Sequence, residues 1–270
     1  MADLRKDADM IIDAAIKAAL PDAAVKKAIG QFPAITGKII LIAIGKAAWQ
    51  MASACYSEMG KRISGGVVIT KYGHSMGPVG NLEIIEAGHP VPDENSYRGT
   101  QAAIDAVSGL SKEDCVVFLI SGGGSALFEK PLIPEASLRT LTSELLASGA
   151  SITEMNTIRK RMSAVKGGRF ALLCAPARVF SIVLSDIIGD PLDMIASGPA
   201  YPDSSTASDA KAICKKYNIT LTKEMSSLLD TETPKSLDNV TTFVTGSVKQ
   251  LCASASEEAL RLGYRPFVLT

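Results

Sequence analysis

Short apolar runs recur along the chain and alternate with segments of helical periodicity. The apolar runs have the length and β-branched content of buried strands, and they are Ile39–Ile44, Gly66–Thr70, Leu82–Glu86, Val116–Ile120 and Val179–Leu184. Helical spacing of apolar residues marks Asp7–Leu20, Lys46–Gly60, Ser96–Leu110 and Glu135–Ser148. This alternation predicts an α/β fold with a mostly parallel sheet and helices on both faces.

A polar segment interrupts the pattern between Leu229 and Asn239, and it contains Pro234. After it we expect a strand, a helix and a second strand, at Thr242–Val244, Ser247–Leu262 and Pro266–Leu269. We therefore predict one domain over residues 1–232 and the start of a second α/β domain over residues 240–270. A single βαβ unit cannot bury both of its faces, so this second domain is expected to be incomplete.

Composition excludes several classes of partner. The 270 residues carry 28 Lys plus Arg and 28 Asp plus Glu, so no net charge favours nucleic acid or an anionic membrane. The apolar runs are far shorter than the roughly 20 residues of a membrane helix, and the N-terminus has no apolar signal core. The five cysteines include no CxxC pair, which is typical of reduced, buried thiols. We expect a cytoplasmic protein.

Three glycine-bearing turns follow predicted strands, where open α/β sheets bind ligands. In IAIGKAA, Gly45 permits a tight turn, and Lys46 is a candidate phosphate ligand at the start of the next helix. No Walker A pattern is present, so a solvated surface lysine is the competing interpretation. In LISGGGSAL the candidate ligand-binding residues are Ser121, Gly122, Gly123, Gly124 and Ser125. Glycines there would let backbone N–H groups approach a ligand. The competing interpretation is a tight strand-to-helix connection, which also requires glycine but binds no ligand.

The third turn, VLSDIIGDPLDM, carries Asp186, Asp190 and Asp193. Carboxylates at the carboxyl end of a strand can hold Mg²⁺ or accept a proton from an attacking hydroxyl. Asp186 and Asp190 are the leading candidates for a base or a metal ligand. Asp193 has a simpler interpretation as a residue that caps the following turn.

A basic stretch, TEMNTIRKRMSAVKGGRF, supplies Glu154, Asn156, Arg159 and Lys166 as further candidates. Helical spacing favours a solvated face for most of its charges, whereas Arg159 and Lys166 could instead balance a carboxylate or phosphate. We interpret His74 and His89 as loop residues that form hydrogen bonds, because two isolated histidines have no metal-ligand spacing.

In their order and spacing, the segments IGKAAWQMA, VVITKYGHS, EAGHPVPDENS, LISGGGSALFE, NTIRKRMSAVKGGR and SDIIGDPLDMIASGP resemble the glycerate 2-kinases of the MOFRL type. The resemblance implies ATP-dependent phosphorylation of D-glycerate at its 2-hydroxyl, with ATP and Mg²⁺ as cofactors. It implies Lys46 as the residue that neutralises phosphate, residues 121–125 as a phosphate cradle, and Asp186 or Asp190 as base, with Asp190 as the metal ligand. Phosphoryl transfer depends mainly on positioning and charge neutralisation, which suits these residue types.

Members of that family continue for about a further domain of roughly 150 residues, so a protein of only these residues is expected to be inactive. Two alternatives remain open. A hydroxypyruvate reductase would need a nicotinamide site, yet no GxGxxG motif is present. A non-catalytic binding module would keep the fold and bind the ligand, but it would not transfer a phosphoryl group. The sequence leaves the oligomeric state open, a homodimer included, and predicts a small-molecule substrate and a nucleotide as partners.

Overall fold

The computed structural model describes residues 3–185, 189, 191–246 and 248–269. Six strands form one sheet, and they are β1 (Ile39–Ile44), β2 (Gly65–Lys71), β3 (Glu83–Ala87), β4 (Cys115–Ile120), β5 (Arg178–Leu184) and β6 (Val240–Thr245). All neighbouring pairs are parallel and the order is β3-β2-β1-β4-β5-β6. The predicted α/β class and its parallel sheet are confirmed.

The helices of the described residues are α1 (Leu4–Ala19), α2 (Pro21–Ile29), α3 (Ala48–Met59), α4 (Glu94–Ala106), α5 (Gly124–Leu127), α6 (Glu135–Ala147), α7 (Ile152–Arg161), α8 (Arg169–Cys174), α9 (Ala207–Lys216), α10 (Lys223–Asp230) and α11 (Val248–Arg261). None of them combines the length and the apolarity that a membrane crossing requires.

The two faces of the sheet are buried in separate apolar clusters. Every residue of β1 and β4 is buried, and alternate side chains along each strand point to opposite faces. Phe118 and Phe170 pack together with a ring-centroid distance of 4.9 Å on one face. Leu41 and Met51 lie in the cluster on the other face, beneath α3. The all-apolar runs that predicted these strands therefore follow from burial on both sides.

A third cluster joins α6, α7, α9 and α10 beside the sheet. Their apolar faces share buried side chains that include Leu141, Ile158, Cys214 and Leu229. Ser151 and Thr206 begin α7 and α9 with capping boxes, which satisfy backbone N–H groups that a helix start leaves free. The basic stretch lies largely on α7 and therefore packs into this helical layer.

The segment after residue 239 joins the first sheet. β6 pairs with β5 from Val240 to Thr245, and the hydroxyl of Tyr264, beyond α11, donates to Asp7 at 2.7 Å. A strand predicted to open a second domain therefore extends the sheet of the first, and the division into two domains stays a prediction. The strand predicted at Pro266–Leu269 is wrong, because these residues pair with no strand in the described part of the chain.

Candidate ligand-binding site at the carboxyl edge of the sheet

The strand order reverses direction between β1 and β4, so the turns after these two strands lie side by side. Ile44 and Ile120 are register partners, and the amide of Ser121 donates to the Ile44 carbonyl at 2.9 Å. In open α/β sheets a crevice forms at such a reversal, outside the carboxyl ends of the strands. The first two glycine turns predicted from the sequence meet at this edge.

The turn after β1 is fixed by its glycine and by backbone contacts. Gly45 has φ +111°, and a β-carbon there would overlap Ser121. The amide of Lys46 donates to the Gly122 carbonyl at 2.8 Å, which ties the two turns together. Lys46 itself lies two residues before α3, not inside it as the sequence suggested. Its side chain is exposed and makes no ion pair with any described residue.

The turn after β4 uses its serines mainly for structure. The hydroxyl of Ser121 accepts from the Ala47 amide at 3.1 Å and donates to the Ile44 carbonyl at 3.1 Å. Ser125 and Ser197 share a hydrogen bond of 2.9 Å. Both hydroxyls therefore hold neighbouring segments in place. Any ligand contact from this turn has to come chiefly from its glycine backbone.

Two of the three glycines could not be replaced without strain, one because of its backbone conformation and the other because of a close neighbour. Gly123 has φ +88°, a left-handed conformation that side-chain-bearing residues avoid. At Gly124 a β-carbon would lie 2.6 Å from Cβ of Ala196. Ala196 and Ser197 also have positive φ values, 52° and 61°, and such outliers in non-glycine residues concentrate at functional sites. The turn and the 196–197 segment thus form one tightly packed unit.

His89 reaches this unit from the loop after β3, a position that sequence reasoning missed. A β-carbon built on Gly123 would lie 3.0 Å from Cδ2 of His89 and 3.2 Å from Cγ of Lys46. Partial burial, and then the charges of Lys46, Lys71 and His74, lower the pKa of His89. These surroundings therefore favour the neutral form of its ring. The available signal was its place two residues beyond a strand end, since loops there carry binding groups.

His74 lies at the same edge and contacts the backbone of the first turn. Its Nδ1 is 2.9 Å from the Lys46 carbonyl oxygen, within donor range for a protonated Nδ1. The interpretation of His74 as a hydrogen-bonding loop residue agrees with this contact. The side chain of Lys46 is left free to face solvent.

The predicted site residues on helix α7 have different partners. Ser197 donates to Asn156 Oδ1 at 3.4 Å, and Arg159 lies one helical turn further along the same face. Glu154, in contrast, binds Lys216 at 2.7 Å and the hydroxyl of Tyr217 at 2.9 Å. These bonds and the Ser151 cap lower the pKa of Glu154 to about 2. Nothing in its contacts joins Glu154 to the turn.

Lys166 is fully buried rather than directed to a ligand. Its Nζ lies 2.7 Å from Glu129 Oε2 and 3.0 Å from the Phe128 carbonyl oxygen. Arg159 Nη2 lies 4.0 Å from the same Glu129 oxygen. Glu129 follows α5 by two residues and was not singled out from the sequence, because nothing in FEKPL marks a buried carboxylate. We return to this cluster below.

The remaining charges of α7 are buried and paired, so the solvated face favoured by the sequence is wrong for them. Lys160 and Arg161 are 2% and 0% exposed, and they lie 3.1 Å and 3.6 Å from the Asp203 carboxylate. Burial alone would raise the pKa of Asp203, but Lys160, Thr233 and Ser205 outweigh it and lower that pKa. Asp203 lies more than forty positions away in sequence, beyond the reach of a helical pattern.

The third predicted turn is described only in part. Asp186 and Asp190 lie outside the described residues. Asp193 accepts from Ser204 at 2.8 Å and lies 3.5 Å from Lys160 Nζ, consistent with a structural role. Among the described residues, no three His, Cys, Asp or Glu side chains converge as metal ligands. The carboxylates described at this edge therefore do not by themselves form a metal site.

The strand order and the paired glycine turns define a doubly wound α/β protein of the kind whose ligands bind at the strand reversal. Residues 7–230 match the family described as a domain of unknown function, DUF4147, and the chain belongs to that family.

Named relatives make the assignment more specific. The chain is 48% identical over 269 residues to a D-glycerate 2-kinase from Thermotoga maritima, a match that covers 99% of this chain and 64% of that protein. The crystal structure of glycerate kinase from T. maritima superimposes with a TM-score of 0.94, at 48% identity, over 98% of this chain and 64% of the other. The resemblance to glycerate 2-kinases is confirmed.

A relative from Agrobacterium vitis carries the provisional name hydroxypyruvate reductase. It is 39% identical over 269 residues, which cover 96% of this chain and 60% of that protein. The chain therefore spans less than two thirds of the length of each of these relatives.

Proposed function

We propose that the protein transfers the γ-phosphoryl group of ATP to the 2-hydroxyl of D-glycerate, giving 2-phosphoglycerate and ADP. The observation that carries the proposal is an exposed Lys46, without an ion-pair partner among the described residues, beside a glycine turn at the strand reversal, in a chain that is 48% identical to a D-glycerate 2-kinase. An exposed ammonium beside a glycine-rich turn is suited to a phosphate.

In this reaction the 2-hydroxyl oxygen forms a bond to the γ-phosphorus while the bond from that phosphorus to the bridging oxygen of ADP breaks. Negative charge spreads over the transferred oxygens, and a fixed cation stabilises it at the moment it develops. Lys46 is assigned that role. The backbone of residues 122–124 is assigned to hold the nucleotide phosphates, since Gly122 and Gly123 are partly exposed and carry no side chain.

Two further elements of the proposal, the carboxylates and Mg²⁺, rest on the resemblance. Asp186 and Asp190 are proposed as proton acceptor and metal ligand. Mg²⁺ commonly uses one or two carboxylates together with substrate phosphates, and it would supply charge neutralisation at the phosphoryl group. A cytoplasmic location, and a homodimer as the assembly, are proposed with them.

The deciding experiment incubates the complete protein with ATP, Mg²⁺ and D-glycerate, and resolves the product by ³¹P NMR. We expect 2-phosphoglycerate and equimolar ADP, both dependent on D-glycerate. If the folded protein yields only 3-phosphoglycerate, or no phosphorylated acid, the proposal is wrong.

The name of the A. vitis relative favours one second candidate, reduction of hydroxypyruvate. That activity needs a dinucleotide site, and the turn after β1 reads IAIGKAA without the GxGxxG spacing. Oxidation of NADH or NADPH by the complete protein with hydroxypyruvate, in the absence of ATP, would establish the reductase instead.

A further inference from the structure

A buried group of three charged side chains lies beside the glycine turn and is unbalanced by one positive charge. Glu129 and Lys166 are 1% and 0% exposed, and the side chain of Arg159 is 14% exposed. Within the described part of the chain, Glu129 is the one carboxylate within ion-pair distance of either cation. Lys166 holds it directly at 2.7 Å, so the charge of Arg159 is left largely uncompensated.

Two polar atoms of this group have no hydrogen-bond partner among the described residues. They are Oε1 of Glu129 and Nε of Arg159, and both are buried. Native proteins leave few buried polar atoms unpaired, and each exception calls for an explanation. Arg159 lies 4.0 Å from Glu129, beyond hydrogen-bond distance. Arg159 therefore lies near its carboxylate without a hydrogen bond to it, and its Nε has no partner among the described residues.

The position of the group connects it with the proposed phosphate cradle. Glu129 stands two residues beyond α5, and its amide donates to Thr100 Oγ1 at 3.0 Å. Arg159 shares a face of α7 with Asn156, which contacts Ser197 and through it Ser125. These contacts connect the excess positive charge with the turn indirectly, through the end of α5 and through α7.

We propose that Arg159 binds an oxyanion of the substrates, and that the buried Glu129–Lys166 pair is a positioning device that holds its guanidinium. The oxyanion belongs either to the carboxylate of the hydroxy acid or to a phosphate of the nucleotide, and Arg suits both because its planar fork forms two parallel hydrogen bonds. This deepens the proposed kinase function and rests on it. Lys166, predicted from the sequence as a ligand, is reassigned to support Arg159.

The electrostatics of Lys166 agree with this arrangement. Burial lowers its pKa first, Arg159 lowers it further, and Glu129 opposes both. A bound anion beside Arg159 would offset the repulsion between the two cations. Ligand binding would then stabilise the charged pair, and the charged pair would in turn favour ligand binding.

The test uses the complete protein with Arg159→Met, and with Glu129→Gln and Lys166→Met made together so that neither member of the buried pair is left charged without the other. Arg139→Met, an exposed arginine on α6, is the matched control. KM for D-glycerate, KM for ATP, kcat and the melting temperature are measured for each.

We expect Arg159→Met to raise one of the two KM values by about 10- to 100-fold, as for loss of a charged hydrogen bond. The double variant should raise the same KM while remaining folded, and Arg139→Met should change neither. A rise in KM for D-glycerate alone would identify the carboxylate of the hydroxy acid as the oxyanion that Arg159 binds. A rise in KM for ATP alone would identify a phosphate of the nucleotide. If the double variant lowers the melting temperature with both KM values unchanged, the pair is purely structural and the positioning role is overturned.

Binding separates this inference from the proposed function. Dissociation constants for ATP and for D-glycerate, measured by calorimetry without turnover, should weaken for one ligand in Arg159→Met. A wild-type protein that binds but forms no 2-phosphoglycerate would end the proposed function while this loss of affinity still supported Arg159. Equal affinity of wild type and Arg159→Met for both ligands would overturn the anion site.

Discussion

The basic side chains of α7 and the lysine of the turn after β1 have different surroundings. Lys160 and Arg161 are buried against Asp203, with distances of 3.1 Å and 3.6 Å. Lys46 stands exposed beside the glycine turn and has no carboxylate partner among the described residues. The residue types are alike, so the difference lies in what the fold places next to each cation.

This contrast separates charges that stabilise the fold from charges available to a ligand. A buried cation left without a partner is costly, so the folded chain surrounds Lys160 and Arg161 with oxygen atoms. An exposed lysine incurs no such cost and can remain unpaired until an anion arrives. The comparison predicts that substitutions in the buried cluster lower the stability of the protein, whereas substitutions of Lys46 lower its activity.

The largest effect is expected at Asp203. Replacing it by Asn removes the one fully buried carboxylate that Lys160 and Arg161 share and leaves them, among the described residues, only the more exposed Asp193 and Glu232, which should lower the free energy of unfolding by about 3 kcal/mol. Urea denaturation of the complete protein measures this. Asp230→Asn is the control, because its pair with Lys211 is exposed and should contribute about 0–1 kcal/mol. Equal losses for the two variants would contradict the structural role of the buried cluster.

Lys46 should behave in the opposite way. Lys46→Ala is expected to reduce kcat for phosphoryl transfer by about 100-fold or more, as for removal of a group that stabilises transition-state charge. The melting temperature should be unchanged, because the side chain makes no ion pair with a described residue. Lys46→Arg keeps the charge and should retain more activity than Lys46→Ala. If Lys46→Ala unfolds the protein, or leaves its activity unchanged, the distinction between structural and ligand-binding cations is wrong.

Gly123 tests whether the turn must stay open. Gly123→Ala and Gly149→Ala both place a β-carbon on a left-handed residue, with φ +88° and +77°, at a cost of about 1–2 kcal/mol each. At Gly149 the new atom meets nothing within 4 Å, whereas at Gly123 it meets His89 and Lys46. We therefore expect kcat/KM to fall, by on the order of tenfold to 100-fold, only for Gly123→Ala. Equal kinetics for the two variants would argue against the cradle.

The smallest effect concerns Glu154 and pH. Its pKa is lowered to about 2 by Lys216, Ser151 and Tyr217, below the ordinary value near 4.3. A carboxyl whose pKa is lower in the folded state adds stability above its unfolded pKa and loses it as pH falls towards 2. Glu154→Gln should therefore be less stable than wild type at pH 6 and differ less at pH 3. Kinetic constants at pH 7 should not change, because Glu154 binds no residue of the turn.

Local sequence patterns predicted the strands well, because burial on both faces leaves a continuous apolar run such as Ile39–Ile44. They failed where the outcome depends on distant partners. The segment after residue 239 joins the first sheet because β5 offers a free edge, and Pro266–Leu269 finds no neighbouring strand among the described residues.

The candidate site followed the same rule. Gly45, Lys46 and residues 121–125 were identified because glycine after a strand is a local signal. Glu129 and His89 were missed as site residues, since only the folded chain brings them beside the turn. Lys166 was identified but assigned to a ligand, because its carboxylate partner lies 37 positions away.

The most direct test of the account is the dissociation constant for ATP, measured by calorimetry on the complete protein, for wild type, Lys46→Met and Lys216→Met. Lys216 is also exposed, but it is paired with Glu154. We predict that Lys46→Met weakens ATP binding by about tenfold or more, whereas Lys216→Met binds as wild type does. ATP affinity that is unchanged in Lys46→Met, or reduced equally in both variants, would contradict the assignment of the unpaired lysine to the phosphate.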